Sequence, residues 1–275
     1  LLSMVTLFID HWQMPLLFLL AGASTLFALR FRSAGEYVWE RFKRLLIPLA
    51  FGIFVIVPPQ LYIEILGFRG ASYIKYYPKY FDPEFTHGFD MGHLWFIAYL
   101  FGFSLLALPL FLFLRGERGG RVLDKLGHFF SLPGTIFLFI LPIALMYHLL
   151  HDFYPNPLYF FTFFLLGYLL LADDRFEEAI GKNKLIGLIT GILWFAFWYT
   201  LISQRIRTPI WFGSLTRGVV SWCCLIAFLG YGKQLLSFTN RFLKYQSEAS
   251  YPVYILHQTI IIAIALVLIV NIFRR

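Results

Sequence analysis

Charged residues are scarce in this sequence. Asp, Glu, Lys and Arg make up 14% of its 275 residues, whereas a soluble domain carries about 25%. Between clusters of charge lie apolar runs of roughly 18 to 25 residues, the length that a helix needs to cross a hydrocarbon core about 30 Å thick. Soluble cores use shorter apolar segments. The pattern therefore favours an all-α fold, a polytopic transmembrane helical bundle forming one domain over residues 1–275, over a pair of soluble domains.

Cysteine and the common catalytic motifs are also nearly absent. The two cysteines, Cys223 and Cys224, are adjacent, so we expect buried thiols in a helix and no disulfide framework. The sequence has no nucleophile elbow, Walker loop, zinc-protease helix or glycine-rich dinucleotide fingerprint. His148 and His151 have a spacing that can bind metal. No further ligands of recognisable spacing follow them, so we expect neither a metal site nor a resident cofactor.

The apolar runs that are present predict eight membrane spans. Asn156 before Pro157 predicts a capped helix start for the fifth span. Gly187 and Gly191 in the sixth span form a GxxxG pair, which predicts a close contact with another helix. The approximate bounds of the spans are 4–29, 45–66, 93–114, 134–150, 157–172, 185–203, 211–230 and 251–273.

The basic residues predict the orientation of these spans. The formal net charge is +8, which could indicate a nucleic-acid partner, but the Lys and Arg residues lie in short loops between apolar segments. Loops 30–44, 115–133 and 231–250 carry an excess of basic residues, whereas loop 67–92 is charge-balanced and 173–184 is slightly acidic. We therefore expect no nucleic acid as a partner and place the three basic loops in the cytoplasm.

The first candidate site segment runs from Gly92 to Phe96. His93 begins the third span directly after a glycine. The partial positive potential of a helix N-terminus disfavours imidazolium, and a neutral imidazole can act as a base or as a hydrogen-bond partner. The alternative is a histidine that caps or anchors its helix at the bilayer edge.

The second candidate segment runs from Ser250 to Gln258. His257 lies roughly 9 Å into its predicted helix at 1.5 Å per residue, and polar groups at that depth usually face a bundle interior or a wet cavity. We expect His93 and His257 to face one polar cavity. The alternative for His257 is a hydrogen bond between helices, and for the Asp10–His11 pair in the first span it is a polar contact inside the bundle.

The third candidate segment runs from Arg41 to Pro48. Arg41 and Arg44 are three residues apart and so project from one helix face. Two guanidinium groups at a membrane edge can hold phosphates through bidentate bonds. The alternative is ordinary cytoplasmic charge that contacts anionic lipid.

Together these segments resemble the acyltransferase 3 family of bacterial membrane proteins. Asp10 to Gly22, with its Met-Pro step, resembles the family's second helix, and Arg41 to Pro48 resembles its basic segment. Gly92 to Phe96 and Ser250 to His257 resemble its His-Leu-Trp-Phe and Ser-Tyr-Pro segments. Order and spacing agree along nearly the whole chain, and the resemblance is closest to the branch of osmoregulated-glucan succinyltransferase-like proteins.

The resemblance implies a multi-pass protein of the bacterial cytoplasmic (inner) membrane that moves an acyl group from acyl-CoA to a hydroxyl of a glycan or glycolipid. It implies catalytic roles for His93 and His257. It also implies substrate-binding roles for Arg41, Arg44, Trp95 and Tyr254, a membrane-lipid environment, and no cofactor besides the donor substrate.

One departure from the family's pattern stands out. The family's first helix carries a basic residue and the histidine usually taken as catalytic, and no position of this chain corresponds to them. We expect a further span with that histidine before Leu1; otherwise the chain is inactive. Other classes stay open, namely a small-molecule transporter with His93 and His257 as polar gates, or a noncatalytic membrane sensor. The lack of an evident internal repeat argues mildly against the transporter.

Overall fold

The structure is a computed structural model that describes residues 2–66, 72–82 and 91–273. It confirms the all-α fold, since the described residues form helices and turns without a strand. The α-helices are α1 (Leu2–Phe31), α2 (Ala34–Arg41), α3 (Ile47–Phe51), α4 (Val57–Leu66), α5 (Tyr73–Tyr76), α6 (Trp95–Leu106), α7 (Leu108–Arg115), α8 (Glu117–Phe130), α9 (Ile140–Leu149), α10 (Pro157–Ala172), α11 (Asp174–Ser203), α12 (Ile210–Leu235) and α13 (Arg241–Phe273).

Many of these helices are long and apolar enough to cross a membrane. Within the described residues, five qualify by themselves, and seven qualify if each bent pair of helices counts as one span. Gly92–Leu106 and Leu108–Arg115 meet at 45°, and Glu117–Phe130 and Thr135–Leu149 meet at 116°. The five are Ser3–Phe31, Ala34–Glu64, Asp174–Ser203, Ile210–Leu235 and Arg241–Leu268.

Several predicted boundaries are wrong. The segment 115–133, expected to be a loop, is mostly the helix α8. Helix α11 begins at Asp174 and α13 at Arg241, each about three turns before the predicted span. Their first turns are polar, so apolar periodicity could not find them. The predicted start of α10 is confirmed, because the Asn156 side chain accepts a hydrogen bond of 3.0 Å from the backbone N–H of Tyr159.

The contacts divide the chain into two compact units. The first unit comprises Leu1–Tyr37 and Phe103–Ser237, and the second comprises Val38–Gly102 and Phe238–Arg275.

In the first unit, close helix contacts depend on glycines. Gly187 and Gly191 of α11 lie against Cys223 and Cys224 of α12, which confirms the contact predicted from the GxxxG pair. Both thiols are buried, with exposed fractions of 0% and 2%, as expected. Helices α1 and α10 approach through another glycine on each side, so the centre of this unit is helix packed on helix with little side chain between.

In the second unit, helical backbone continues from Val38 to Leu66. Two turns of it, Phe42–Leu46 and Gly52–Ile56, are π-helical, with the wider hydrogen-bond ring that this implies. Helix α13 packs along α4, and the Gln60 side chain donates a hydrogen bond to the hydroxyl of Thr259. Gln60 is 3% exposed, so this polar contact ties the two helices together inside the unit.

Candidate active site

His93 is held at a sharp turn at the start of a helix. Gly92 has a φ of +50°, a left-handed conformation that favours glycine, and a 3₁₀ turn over Gly92–Leu94 leads into α6. The turn brings the imidazole against α13, where its Nε2 lies 3.0 Å from the carbonyl oxygen of Ile255. The Tyr254 hydroxyl donates a hydrogen bond to the carbonyl oxygen of His93.

These contacts set the tautomer of His93. A carbonyl oxygen only accepts, so Nε2 must carry the proton that is donated to Ile255. In a neutral ring the lone pair then lies on Nδ1, which is buried and has no hydrogen-bond partner among the described residues. His93 therefore presents a buried, unsatisfied acceptor.

His257 carries the opposite tautomer. Its Nδ1 lies 2.7 Å from the carbonyl oxygen of Tyr254 and donates to it, which leaves the lone pair of a neutral ring on Nε2. The centroids of the His93 and His257 rings are 5.2 Å apart and the rings meet at 86°. The second unit thus brings the two predicted histidines into contact, while the polar cavity between them stays a prediction.

One face of α13 links this pair to the basic segment. Tyr251, Tyr254 and His257 follow each other at intervals of three residues, so they lie on one side of the helix. The Tyr251 hydroxyl donates a hydrogen bond of 2.7 Å to the carbonyl oxygen of Arg44. In an α-helix that oxygen would bond the N–H of the residue four positions on, but Pro48 has none. Arg44 lies in the π-helical turn Phe42–Leu46, and the Tyr251 hydroxyl ties this turn to α13.

The two arginines differ in their surroundings. The Arg44 side chain is 72% exposed, and its Nε lies 3.0 Å from a carboxylate oxygen of Glu40. Arg41 is half-buried. A phosphate that binds Arg44 has to compete with Glu40 or displace it, and exposure makes the ion pair weak enough for that.

The aromatic rings of the two candidate segments pack in different ways. Trp95 packs edge-on against Tyr99 at 5.5 Å between ring centroids. Phe96, which sequence reasoning did not single out, packs against the predicted substrate residue Tyr254 at 5.6 Å. The sequence also did not indicate the buried polar contact of Gln60, since a single amide in an apolar run gives no pattern to recognise.

The first unit contains a second polar cluster. Arg217 Nη1 donates a hydrogen bond of 2.8 Å to a carboxylate oxygen of Asp10, and His11 is 3% exposed, with Nδ1 donating to Leu7 at 2.7 Å. This geometry agrees with the alternative of a polar contact inside the bundle, which Asp10 makes with Arg217. Its partner Arg217 was missed, although one guanidinium inside an apolar span was the available signal.

A metal centre finds no support in this geometry. Within residues 2–66, 72–82 and 91–273, no three His, Cys, Asp or Glu side chains are grouped so that they could hold a metal ion. The rings of His148 and His151 stack at 5.7 Å, and His148 Nδ1 lies 3.2 Å from the hydroxyl of Ser214.

Comparison with known proteins identifies the family. A search of curated proteins and a search of solved structures each returned no match. The family model described as an acyltransferase domain, that of the acyltransferase 3 family, matches residues 1–274. With the match covering nearly the whole chain, the protein belongs to the acyltransferase 3 family and is a multi-pass membrane acyltransferase.

Proposed function

We propose that the protein transfers an acyl group from acyl-CoA to a hydroxyl of a carbohydrate, either a surface glycan, a glucan or a glycolipid, at the bacterial cytoplasmic membrane. The contact between His93 and His257 carries this proposal. It places two imidazoles of opposite tautomer 5.2 Å apart in a helical, largely apolar setting. A neutral imidazole with an accessible lone pair is the group that a hydroxyl needs in order to become a nucleophile.

His257 is the base in this proposal. Its Nε2 bears the lone pair and the residue is only half-buried, whereas Nδ1 of His93 is fully buried. The hydroxyl oxygen attacks the thioester carbonyl carbon while its proton passes to Nε2. A carbon–oxygen bond forms, the carbon–sulfur bond breaks, and the coenzyme A thiolate leaves and takes up the proton. His93 positions α13 through its hydrogen bond to Ile255.

The donor approaches from the basic segment. Tyr251 ties the backbone of Arg44 to α13, about 9 Å along the helix axis from His257. A diphosphate on Arg41 and Arg44 would thus hold coenzyme A close to the base. Trp95 and Tyr254 are the aromatic side chains that we assign to substrate contact.

The histidines are tested by transfer assays on the full-length natural protein in lipid nanodiscs. The assay uses labelled acetyl-CoA or succinyl-CoA and a glycan extract as acceptor. His257→Ala should slow transfer by about 10²–10⁴-fold, the usual contribution of a general base. His93→Gln, whose amide can still donate to Ile255, should retain more activity than His93→Ala.

His128→Ala in α8 is the matched control and should transfer at the wild-type rate. Full activity in His257→Ala, with normal insertion, would remove it as the base. Uptake of the glycan into sealed proteoliposomes without covalent acylation would indicate a transporter instead.

The arginines are tested by the double substitution Arg41→Lys with Arg44→Lys. Charge and orientation are kept, but the planar fork that binds phosphate is lost. We expect normal insertion and acyl-CoA binding weaker by about 1–3 kcal/mol, as measured by titration. Unchanged affinity would leave the two arginines as orientation signals.

A further inference from the structure

The first unit contains a cleft that the proposed chemistry does not use. It has a volume of about 640 Å³ and lies among α1, α10, α11 and α12, within the roughly 300–1,000 Å³ of ligand sites. Its floor consists of the buried Leu19, Leu170 and Ile180, which are 1%, 3% and 5% exposed, and its edges include Leu20 and Leu171 at 47% and 38%. This is an apolar trough with an open side.

One end of the cleft is charged. Lys233 forms an ion pair with Glu177, and the two side chains are 66% and 49% exposed. Glu178 also lines the cleft and pairs with Lys182 at 3.6 Å. These residues lie where α11 begins and α12 ends, on the side that the basic loops mark as cytoplasmic.

We propose that this cleft binds one hydrocarbon chain of a zwitterionic phospholipid whose headgroup lies on the Glu177–Lys233 pair. An apolar trough that polar groups border at one end matches a chain that continues into a polar headgroup. A phosphate can accept hydrogen bonds from Lys233 while an ammonium group donates to Glu177.

The carboxylates of Glu177 and Glu178 favour one class of lipid headgroup over another. Two lysines and two glutamates balance at this end, so an anionic headgroup, or the phosphates of coenzyme A, would pair with a lysine and leave its glutamate without a partner, whereas phosphoethanolamine offers a charge to each sign. The inference stands apart from the proposed acyl transfer, because none of these residues belongs to the His93–His257 site.

A glycine gives a direct way to close the cleft. Gly181 lines it, and a Cβ built there meets nothing within 4 Å in the described part of the chain. A leucine at this position should fill the trough without moving a neighbour. Stability should hold, since glycine is a poor helix former.

The control is another glycine in an equally open setting. Gly213 of α12 also has nothing within 4 Å of a built Cβ among the described residues, and both glycines are half-exposed. Gly213→Leu therefore adds the same apolar bulk away from the cleft.

The experiment is native mass spectrometry of the full-length protein, purified from vesicles of equal phosphatidylethanolamine and phosphatidylglycerol. We expect the wild type and Gly213→Leu to retain bound phosphatidylethanolamine in the mass spectrum. Gly181→Leu should retain it at least tenfold less. Glu177→Gln, a change at an exposed position, should shift retention toward phosphatidylglycerol.

Equal phosphatidylethanolamine retention in the wild type and Gly181→Leu would overturn the proposal. So would an unchanged lipid preference in Glu177→Gln, which keeps the test decisive even if the leucine variant does not fold.

Discussion

At the scale of single residues, the Arg217 guanidinium is a charge inside the first unit that needs compensation. Its side chain is 12% exposed inside α12, and it donates to Asp10, which is 40% exposed. The guanidinium also lies over the rings of Tyr147 and Tyr159, at 5.7 and 5.8 Å from their centroids. Its Nε has no hydrogen-bond partner among the described residues. A charge so placed depends on its one carboxylate partner.

Asp10→Ala should therefore destabilise the protein strongly. It leaves the Arg217 charge buried and uncompensated, which costs about 3–5 kcal/mol, whereas Asp10→Leu with Arg217→Met should lose much less. Unfolding in bicelles measures both. Asp152, 93% exposed beside His151, provides the control, and an Asp10→Ala protein as stable as Asp152→Ala would contradict the prediction.

At the scale of elements, α1 and α10 touch through backbone. A Cβ added at Gly22 would lie 1.9 Å from the carbonyl oxygen of Phe164, and one at Gly167 would lie 1.8 Å from that of Leu19. Both contacts are with backbone, so no side-chain rotation can relieve them. Only glycine allows these helices to pack at this distance.

Gly167→Ala should push the two helices apart and cost about 1–3 kcal/mol, the range for overpacking. Gly181→Ala, at an open position, should be neutral or slightly stabilising because alanine is the better helix former. Thermal unfolding of the two variants in the same detergent compares them. Equal melting temperatures would show that the α1–α10 contact accommodates a methyl group and does not require glycine.

The start of α11 has a pH-dependent cap. Asp173 accepts hydrogen bonds from the backbone N–H and guanidinium of Arg175, which in turn bonds Asp124 at 2.7 Å. Hydrogen bonding from Arg175 lowers the pKa of Asp173. Because the folded-state pKa is lowered, the stabilisation is complete above the ordinary carboxyl pKa of about 3.9 and is lost as pH falls through the folded-state value.

Asp173→Asn should accordingly lower the melting temperature at pH 7. The difference from the wild type should begin to shrink as the pH falls below about 4, where Asp173 of the unfolded chain takes up a proton, and should be smallest once the pH is below the lowered folded-state pKa. A difference that is constant from pH 7 to pH 3 would mean that the charge of Asp173 does not contribute.

At the scale of the whole molecule, two ion pairs in the first unit show which of its helix ends lie on the same side. The bond between Arg175 and Asp124 and the pair between Lys233 and Glu177 bring together α8, the start of α11 and the end of α12. Helix α11 is 30 residues long, so its other end lies roughly 45 Å away along the helix axis. The basic loops predict that the first of these ends is cytoplasmic.

Cysteine labelling in intact cells tests this orientation. A membrane-impermeant maleimide should label Gln204→Cys and should reach Lys125→Cys only after permeabilisation. The native Cys223 and Cys224 are buried and should give little background. The reverse labelling pattern would show that the orientation is inverted.

Composition and local pattern were sufficient for the membrane class, the helical fold and the glycine contact of α11, because apolar length and small-residue spacing are properties of one segment. The family segments around His93 and His257 could also be recognised from the sequence, because each segment consists of residues that are close together in the chain.

Tertiary structure decided which residues meet. His93 bonds a residue 162 positions away, and Arg217 bonds one 207 positions away, and no local spacing encodes such partners. It also decided that α11 and α13 begin in polar sequence, where the Asp173 and Asn240 side chains accept hydrogen bonds from backbone N–H groups of the first turn and apolar periodicity gives no signal. The tautomer of His93 follows from the Ile255 carbonyl oxygen on a helix far along the chain, because a ring nitrogen carries its proton where an acceptor lies within reach.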